Sequence, residues 1–156
     1  MALSGIRDTS IIQTAPENRQ AIKTNVSEWN PNVVRDAILH EIERGGQIYL
    51  IHNRVQTIDH FCQKIQDLVP ESKIAIAHGQ MPQSSLQSVM KKFANGDFDV
   101  LICTTIIESG IDIPNVNTLI VERADQLGLA QMYQLRGRVG RSINQAYAYL
   151  LSLIHI

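Results

Sequence analysis

Short apolar runs alternate with helical patterns between residues 31 and 151, and this alternation restricts the fold more than any other feature of the sequence. The runs "QIYLI" at 47–51 and "VLIC" at 100–103 are apolar at nearly every position. Strands of that kind are buried on both faces, as in parallel sheets that helices cover. The pattern therefore predicts an α/β fold, with an open, mostly parallel sheet, helices on both faces and right-handed crossovers.

The predicted helices have clear boundaries. In "NPNVVRDAILHEIERGG", Asn30 is a candidate N-cap, Pro31 suits the first helical position, and Gly45 and Gly46 mark the end. Two more helical patterns, at 57–69 and 84–96, separate the following strands. We predict a lead-in segment over residues 1–30, a main domain over 31–151, and an atypical or truncated tail over 152–156.

Charge and cysteine content narrow the functional classes. A formal net charge of −1 argues against a polybasic nucleic-acid coat, although a narrow binding stripe remains compatible with it. Cys62 and Cys103 lie in apolar strings, as free thiols in a reducing compartment do. No apolar run approaches the ~20 residues of a membrane span, and no signal peptide is recognisable. We therefore expect a cytoplasmic protein with no membrane partner.

Polar residues follow three of the predicted strands. They are "HNR" at 52–54, "HGQ" at 78–80 and the stretch beginning "TT" at 104. Ligands of open α/β sheets bind beyond the carboxyl ends of the strands, and these side chains suit phosphate oxygens. Each also has an ordinary interpretation: His52 and His78 as internally bonded residues, the threonines as helix caps.

A second polar group lies further along the chain. Asp112 in "GIDIP" can accept hydrogen bonds from ribose hydroxyls or simply stabilise a turn. In "QLRGRVGRS", at 134–142, three arginines are interleaved with glycines. Guanidinium groups match phosphate oxygens with two parallel hydrogen bonds, and two aimed at one point repel unless an anion lies between them. A solvated basic face is the alternative.

These stretches resemble a known family. "VLICTTIIESGIDIPNVNTLIVERADQLGLAQMYQLRGRVGRS" is similar to motifs V and VI of superfamily 2 helicases, "IYLIHNR" to motif IV and "AHGQM" to motif IVa. The chain looks like the second RecA-like lobe, the C-terminal P-loop NTPase lobe, of a DNA translocase. It resembles most the family of bacterial transcription-repair coupling factors, motors that displace stalled RNA polymerase, with RecG as the sister family. The resemblance runs from residue 1, through the opening "MALSGIRDTSII", to about residue 151.

The resemblance implies a role for particular residues. Arg138 and Arg141 would reach the γ-phosphate of ATP across a lobe interface, and Gln134 would line that interface. Gly110 and Asp112 would approach the ribose side of the nucleotide. Arg136 has no fixed role, interdomain coupling being one option. The residues expected to follow a DNA backbone are Asn53, Arg54, His78, Gly79, Thr104 and Thr105.

Two motifs of the complete motor do not occur in the sequence. It contains neither a G-x-x-x-x-G-K-[ST] loop nor an acidic Walker-B string. Both belong to the first lobe, which would bind most of the ATP and Mg²⁺. We therefore expect a fragment, with Met1 an internal methionine, that hydrolyses no ATP alone. The resemblance implies double-stranded DNA and the first lobe as partners. RNA polymerase and nucleotide-excision-repair proteins would bind through other modules.

Other interpretations stay open at this point. The same fold fits a RecG-type branched-DNA helicase lobe or an RNA helicase lobe. A binding module for nucleic acid without any ATPase role is a different class of protein. A truncated product without function is a third, because an unpaired lobe leaves apolar surface uncovered.

Overall fold

The computed structural model describes residues 22–104, 115–126 and 145–152. Within them the chain forms six strands and three α-helices. The strands are β1 (Lys23–Glu28), β2 (Gln47–Ile51), β3 (Ile74–Ala77), β4 (Val100–Cys103), β5 (Val116–Val121) and β6 (Tyr147–Ser152). The helices are α1 (Pro31–Glu43), α2 (Ile58–Leu68) and α3 (Gln83–Ala94), and short 3₁₀ turns cover Val55–Thr57 and Ala124–Gln126.

The strands form one sheet in the order β1-β6-β5-β2-β4-β3, and every pairing in it is parallel. The predicted α/β class is therefore confirmed. The edge strand β1 comes from the predicted lead-in segment and pairs with β6 from Lys23 beside Tyr147 to Glu28 beside Ser152. Because all strands run the same way, their carboxyl ends lie along one edge of the sheet.

The sheet is covered on both faces, and the pleat divides its side chains into two cores. On one face Tyr49 and Ile51 of β2 pack with Met90 and Phe93 of α3. On the other face the alternate residues of β2 pack against α1 and α2. This second core includes Val34, Ala37, Ile38, Ile48, Leu50, Ile58, Phe61 and Ile65. The strand order reverses between β3 and β4, so right-handed crossovers put α2 and α3 on opposite faces.

Local chemistry fixes the ends of α1 as the sequence predicts. The Asn30 side chain accepts a hydrogen bond from the Asn32 backbone N–H at 2.9 Å, and Pro31 is the first helical residue. After the helix, Gly45 has φ +81°, a conformation that favours glycine. The chain then turns directly into β2.

Both cysteines are free thiols, as predicted. Burial raises the pKa of the Cys103 thiol, in β4, to about 12. The partly buried Cys62 has its pKa raised by burial and by the nearby Asp59 carboxylate. Among the helices that the structure describes, none is both long and apolar enough to cross a bilayer.

A buried carboxylate joins α1 to the amino half of the sheet. Glu41 is fully buried and accepts hydrogen bonds from Arg44 Nη2 at 2.7 Å and from the Thr118 hydroxyl at 2.5 Å. The same Arg44 nitrogen donates to the Gln145 carbonyl oxygen at 2.7 Å. A side chain at Gly46 would overlap the Glu41 carboxylate, because its Cβ would lie far inside contact distance of Oε2. Glycine at position 46 therefore leaves the space that the bonded Glu41 carboxylate occupies.

We expect Glu41→Ala to lower the free energy of unfolding by about 3–5 kcal/mol, because Arg44 and Thr118 lose a buried charged partner. Urea denaturation followed through Trp29, the one tryptophan in the chain, measures the loss. The matched control is Glu43→Ala, which removes an exposed carboxylate from the same helix and should change the free energy by less than about 0.5 kcal/mol. If both variants lowered the free energy of unfolding by the same small amount, Glu41 would not be the stabilising partner of Arg44 and Thr118.

Candidate nucleic-acid interface at the carboxyl edge of the sheet

Three neighbouring strands bring predicted site residues side by side. In the sheet Cys103, the last residue of β4, is aligned with Ile51 of β2 on one side and Ala77 of β3 on the other. The next residues along these three strands are His52, Thr104 and His78. The loops that the sequence singled out therefore leave one edge of the sheet at the same level.

His52 is bonded within the protein. Its ring is buried, with Nδ1 2.6 Å from Glu122 Oε1 and Nε2 2.7 Å from the Thr57 hydroxyl. The ring also stacks on Phe61, with centroids 4.4 Å apart and planes 16° apart. Because an ionised carboxylate only accepts, Nδ1 carries the proton in this pair. Both ring nitrogens are used, so the internal-bonding interpretation of His52 holds and the imidazole is not a phosphate donor here.

The bond between His52 and Thr57 closes a small loop. Asn53 and Arg54 lie exposed within it, and the Thr57 backbone N–H donates to the Arg54 carbonyl oxygen at 3.3 Å. The loop passes directly into α2, whose Phe61 ring stacks on the His52 ring. Asn53 and Arg54 are thus presented to solvent on a loop that a buried ring fixes from beneath.

The β3 loop presents a second imidazole. The Gln80 backbone N–H donates to His78 Nδ1 at 3.2 Å, so the neutral ring carries its proton on Nε2. The His78 backbone N–H points at the Met81 sulfur, 3.4 Å away. His78 is half-buried and Gly79 is exposed. The loop therefore offers one ring N–H donor and an exposed glycine.

Thr104 lies between these two loops. Its side chain is buried, and its hydroxyl has no hydrogen-bond partner among the residues that the structure describes. A buried hydroxyl without a partner costs about 1–3 kcal/mol. Among the residues that the structure describes, the Thr104 hydroxyl at the centre of this edge thus has neither a donor nor an acceptor partner.

The turn after β5 was not anticipated from the sequence. Glu122 follows β5 and bonds His52, and Arg123 Nη2 donates to Asp125 Oδ2 at 2.9 Å. The Ser152 hydroxyl, at the end of β6, donates to Asp125 Oδ1 at 3.0 Å. The only available signal was the string "ERAD" directly behind an apolar strand. Glu122 pairs with His52 and Asp125 pairs with Ser152 because β2 and β6 lie on either side of β5. The sequence does not reveal that strand order.

The hydrogen bond from Arg123, assisted by the one from Ser152, lowers the pKa of the Asp125 carboxyl to about 2. Across the described part of the chain no group of three His, Cys, Asp or Glu side chains is arranged to hold a metal ion. The remaining predicted site residues lie outside the described residues. They are Thr105, Gly110, Asp112, Gln134, Arg138 and Arg141, together with Arg136.

Comparison with known proteins identifies relatives of the whole chain. The family model described as the helicase conserved C-terminal domain matches residues 29–143. The transcription-repair-coupling factor of Escherichia coli (strain K12) is 58% identical over 152 residues, which are 97% of this chain and 13% of that protein. The protein of the same name from Bacillus subtilis (strain 168) is 55% identical over 149 residues, 96% of this chain and 13% of that protein. The chain thus spans a small part of these relatives.

Solved structures give the same fold. RecG bound to a three-way DNA junction superposes with a TM-score of 0.76 and 32% identity, over 92% of this chain and 20% of that one. Domain 2 of the DEAD-box helicase Mss116p, bound to an RNA duplex, has a TM-score of 0.67 and 23% identity. That alignment covers 83% of this chain and 54% of the other, and at this identity the likeness concerns the fold alone.

The lowered pKa of Asp125 predicts a pH dependence. Because the folded pKa lies below the ordinary value of about 3.9, the Asp125 contribution to stability is complete above pH ~4. It is lost as the pH falls through about 2. We expect Arg123→Gln to raise the pKa toward its ordinary value and Ser152→Ala to raise it less. Carboxyl ¹³C chemical shifts over a pH titration measure both, and an unchanged midpoint in Arg123→Gln would contradict this cause.

Proposed function

The chain belongs to the helicase conserved C-terminal domain family, and on that basis we propose that it forms the second motor lobe of an ATP-dependent double-stranded DNA translocase. Its sequence relatives are transcription-repair-coupling factors. We therefore assign the lobe to a cytoplasmic bacterial motor that displaces stalled RNA polymerase and couples transcription to DNA repair. RNA polymerase and the repair proteins would bind modules outside this chain.

The Thr104 hydroxyl, which has no hydrogen-bond partner among the described residues, is the observation that supports the DNA contact. It lies in the middle of three adjacent strand ends, between a loop with an exposed Arg54 and a loop with an exposed Gly79. Because the Thr104 hydroxyl is buried, a phosphate oxygen would bond it by displacing the atoms that cover it, and the bond would then satisfy a group that is costly to leave buried. Arg54 would add charge, and the bare backbone at Gly79 would allow close approach. Backbone contacts of this type position a protein on DNA without reading its sequence.

The ATP-facing side of the proposal rests on the arginine stretch and on the family. Arg138 and Arg141 would stabilise the charge that develops on the γ-phosphate, and Gln134 would line the same interface. Gly110 and Asp112 would face the ribose. ATP and Mg²⁺ would be bound mainly by the first lobe, since this sequence has no phosphate-binding loop. The isolated chain should then hydrolyse no ATP.

RecG provides a second candidate function, because a RecG structure shares this fold at 32% identity. In that structure RecG is bound to a three-way DNA junction. A branched-DNA motor would bind such a junction far more tightly than linear duplex of equal length. A coupling-factor motor would bind the two alike, so competition between the two DNAs separates the candidates.

Two Thr→Val variants test the DNA contact, because their predicted effects have opposite signs. Thr104→Val removes a hydroxyl that has no partner among the described residues, so stability should stay the same or rise. DNA affinity of the full-length protein should fall about threefold to tenfold, the value of one hydrogen bond. Thr118→Val removes the buried hydroxyl bonded to Glu41. It should lower the free energy of unfolding by about 1–3 kcal/mol and leave DNA affinity unchanged.

Melting temperature and DNA titrations at fixed salt give both quantities. If Thr104→Val melts at a lower temperature and binds DNA normally, then its hydroxyl is a structural group and the DNA assignment fails. The proposal requires that Thr118→Val, and not Thr104→Val, melts at a lower temperature and binds DNA normally.

Substitution of the arginines tests the motor assignment. In the full-length protein, Arg138→Ala or Arg141→Ala should reduce ATP turnover by about 10³-fold or more, because each supplies charge to the transition state. DNA binding should persist. The matched control is Arg35→Ala, an exposed arginine on α1 that pairs only loosely with Asp36, at 3.7 Å. Near-normal turnover in both motif variants would contradict the assignment, as would an equal loss in the control.

A further inference from the structure

The outer side of β1 is an open edge of the sheet. The backbone N–H groups of Lys23 and Trp29 donate to carbonyl oxygens at or beside the ends of β6, at 3.0 and 2.7 Å. Because backbone groups alternate in direction along a strand, the odd-numbered residues of β1 bond β6, and Thr24 and Val26 turn their N–H and C=O groups outward. Among the strands that the structure describes, β1 pairs with β6 alone. The outward groups are therefore placed to bond a further strand.

The side chains along β1 leave this edge accessible. Lys23, Thr24, Asn25 and Val26 are all exposed. Val26 is 65% exposed, and no other large apolar side chain in the described part of the chain belongs to the exposed class. A strand edge with an exposed apolar residue at its centre is a template for pairing with another polypeptide.

We propose that the outer edge of β1 is a self-association surface, on which β1 of a second copy of this chain pairs in the antiparallel direction about a twofold axis through Val26. An antiparallel hydrogen-bonded pair forms only between residues that both turn their N–H and C=O groups toward each other. The twofold axis meets this condition, because it places Val26 opposite the partner's Val26. A slip of one residue fails, since it sets an outward-facing residue against an inward-facing one.

Three properties of the chain favour a second copy as the occupant of this edge. The twofold register covers the exposed Val26 with an identical apolar side chain, so the contact is self-complementary. The antiparallel direction brings the Lys23 end of one strand to the Glu28 end of the other, whereas parallel pairing would align like charges. With a formal net charge of −1, two copies repel each other only weakly.

The size of the contact sets its expected strength. β1 contributes six residues from each copy, which is small beside a standard protein–protein interface. We therefore expect a reversible dimer with a dissociation constant between about 10 μM and 1 mM. Sedimentation equilibrium of the full chain over this concentration range measures it. A wild-type chain that stays monomeric up to about 1 mM overturns the proposal.

Charge substitutions at position 26 test the twofold register. Val26→Lys sets two like charges directly opposite each other and should weaken dimerisation about tenfold or more, and so should Val26→Glu. An equimolar mixture of the two variants should regain association, because unlike charges then face each other across the axis. If the mixture stays monomeric, or if each variant alone dimerises like the wild type, the proposed pairing is wrong.

Proline substitutions separate the outer edge from the fold. Val26→Pro removes an outward N–H, so it should weaken dimerisation about tenfold or more and leave the melting temperature of the dilute chain near that of the wild type. Asn25→Pro is the matched control, because it removes an N–H that faces β6 and should lower the melting temperature instead. An equal fall in melting temperature for both variants would show that the Val26 N–H serves the fold, and would overturn the assignment of the edge. The dimer does not depend on the proposed function, so DNA titrations and sedimentation test the two separately.

Discussion

Parallel strand pairing is the constraint on which the rest of this structure depends. It requires a crossover between every two neighbouring strands, and the crossovers must cover both faces. It also places all carboxyl ends of the strands at one edge of the sheet. Beyond that edge the chain leaves the strand hydrogen bonding, and its side chains can bind a ligand. The amino edge serves stability instead: there Glu41, Arg44 and Thr118 form a buried network between α1 and the sheet. The carboxyl edge can bind a ligand and the amino edge stabilises the fold because all strands run in the same direction.

At the carboxyl edge, polar groups of two kinds lie next to each other. His52 and Glu122 satisfy one another inside the protein, whereas the Thr104 hydroxyl is satisfied by nothing in the described residues. The bonded pair of His52 and Glu122 holds the backbone in place. The Thr104 hydroxyl lacks a hydrogen bond that a ligand can provide. Two residues with similar positions after adjacent strands thus have different physical roles. Sequence position alone does not distinguish them.

The sequence predicted the features that depend on neighbours along the chain. Asn30, Pro31 and Gly45 define α1 through local capping chemistry, and the apolar runs of β2 and β4 required burial on both faces. It did not predict the partner of His52, because Glu122 is 70 positions away and becomes adjacent only through the strand order. Nor did it predict the burial of Glu41, although position 41 follows Val34, Ala37 and Ile38 on the same helical face, because a carboxylate is rarely buried without a partner. The assignments of Arg138 and Arg141 remain predictions.

The pairing of β1 with β6 has a consequence for the order in which the sheet is built. These strands are the first and the last of the described sheet, yet they lie side by side, with Lys23 aligned with Tyr147. The entropy of closing so long a loop is recovered only after the intervening strands are in place. During synthesis β1 therefore leaves the ribosome before the other described strands and finds its partner last. Until then its exposed backbone, with Val26 outward, is an open edge that the growing chain must tolerate.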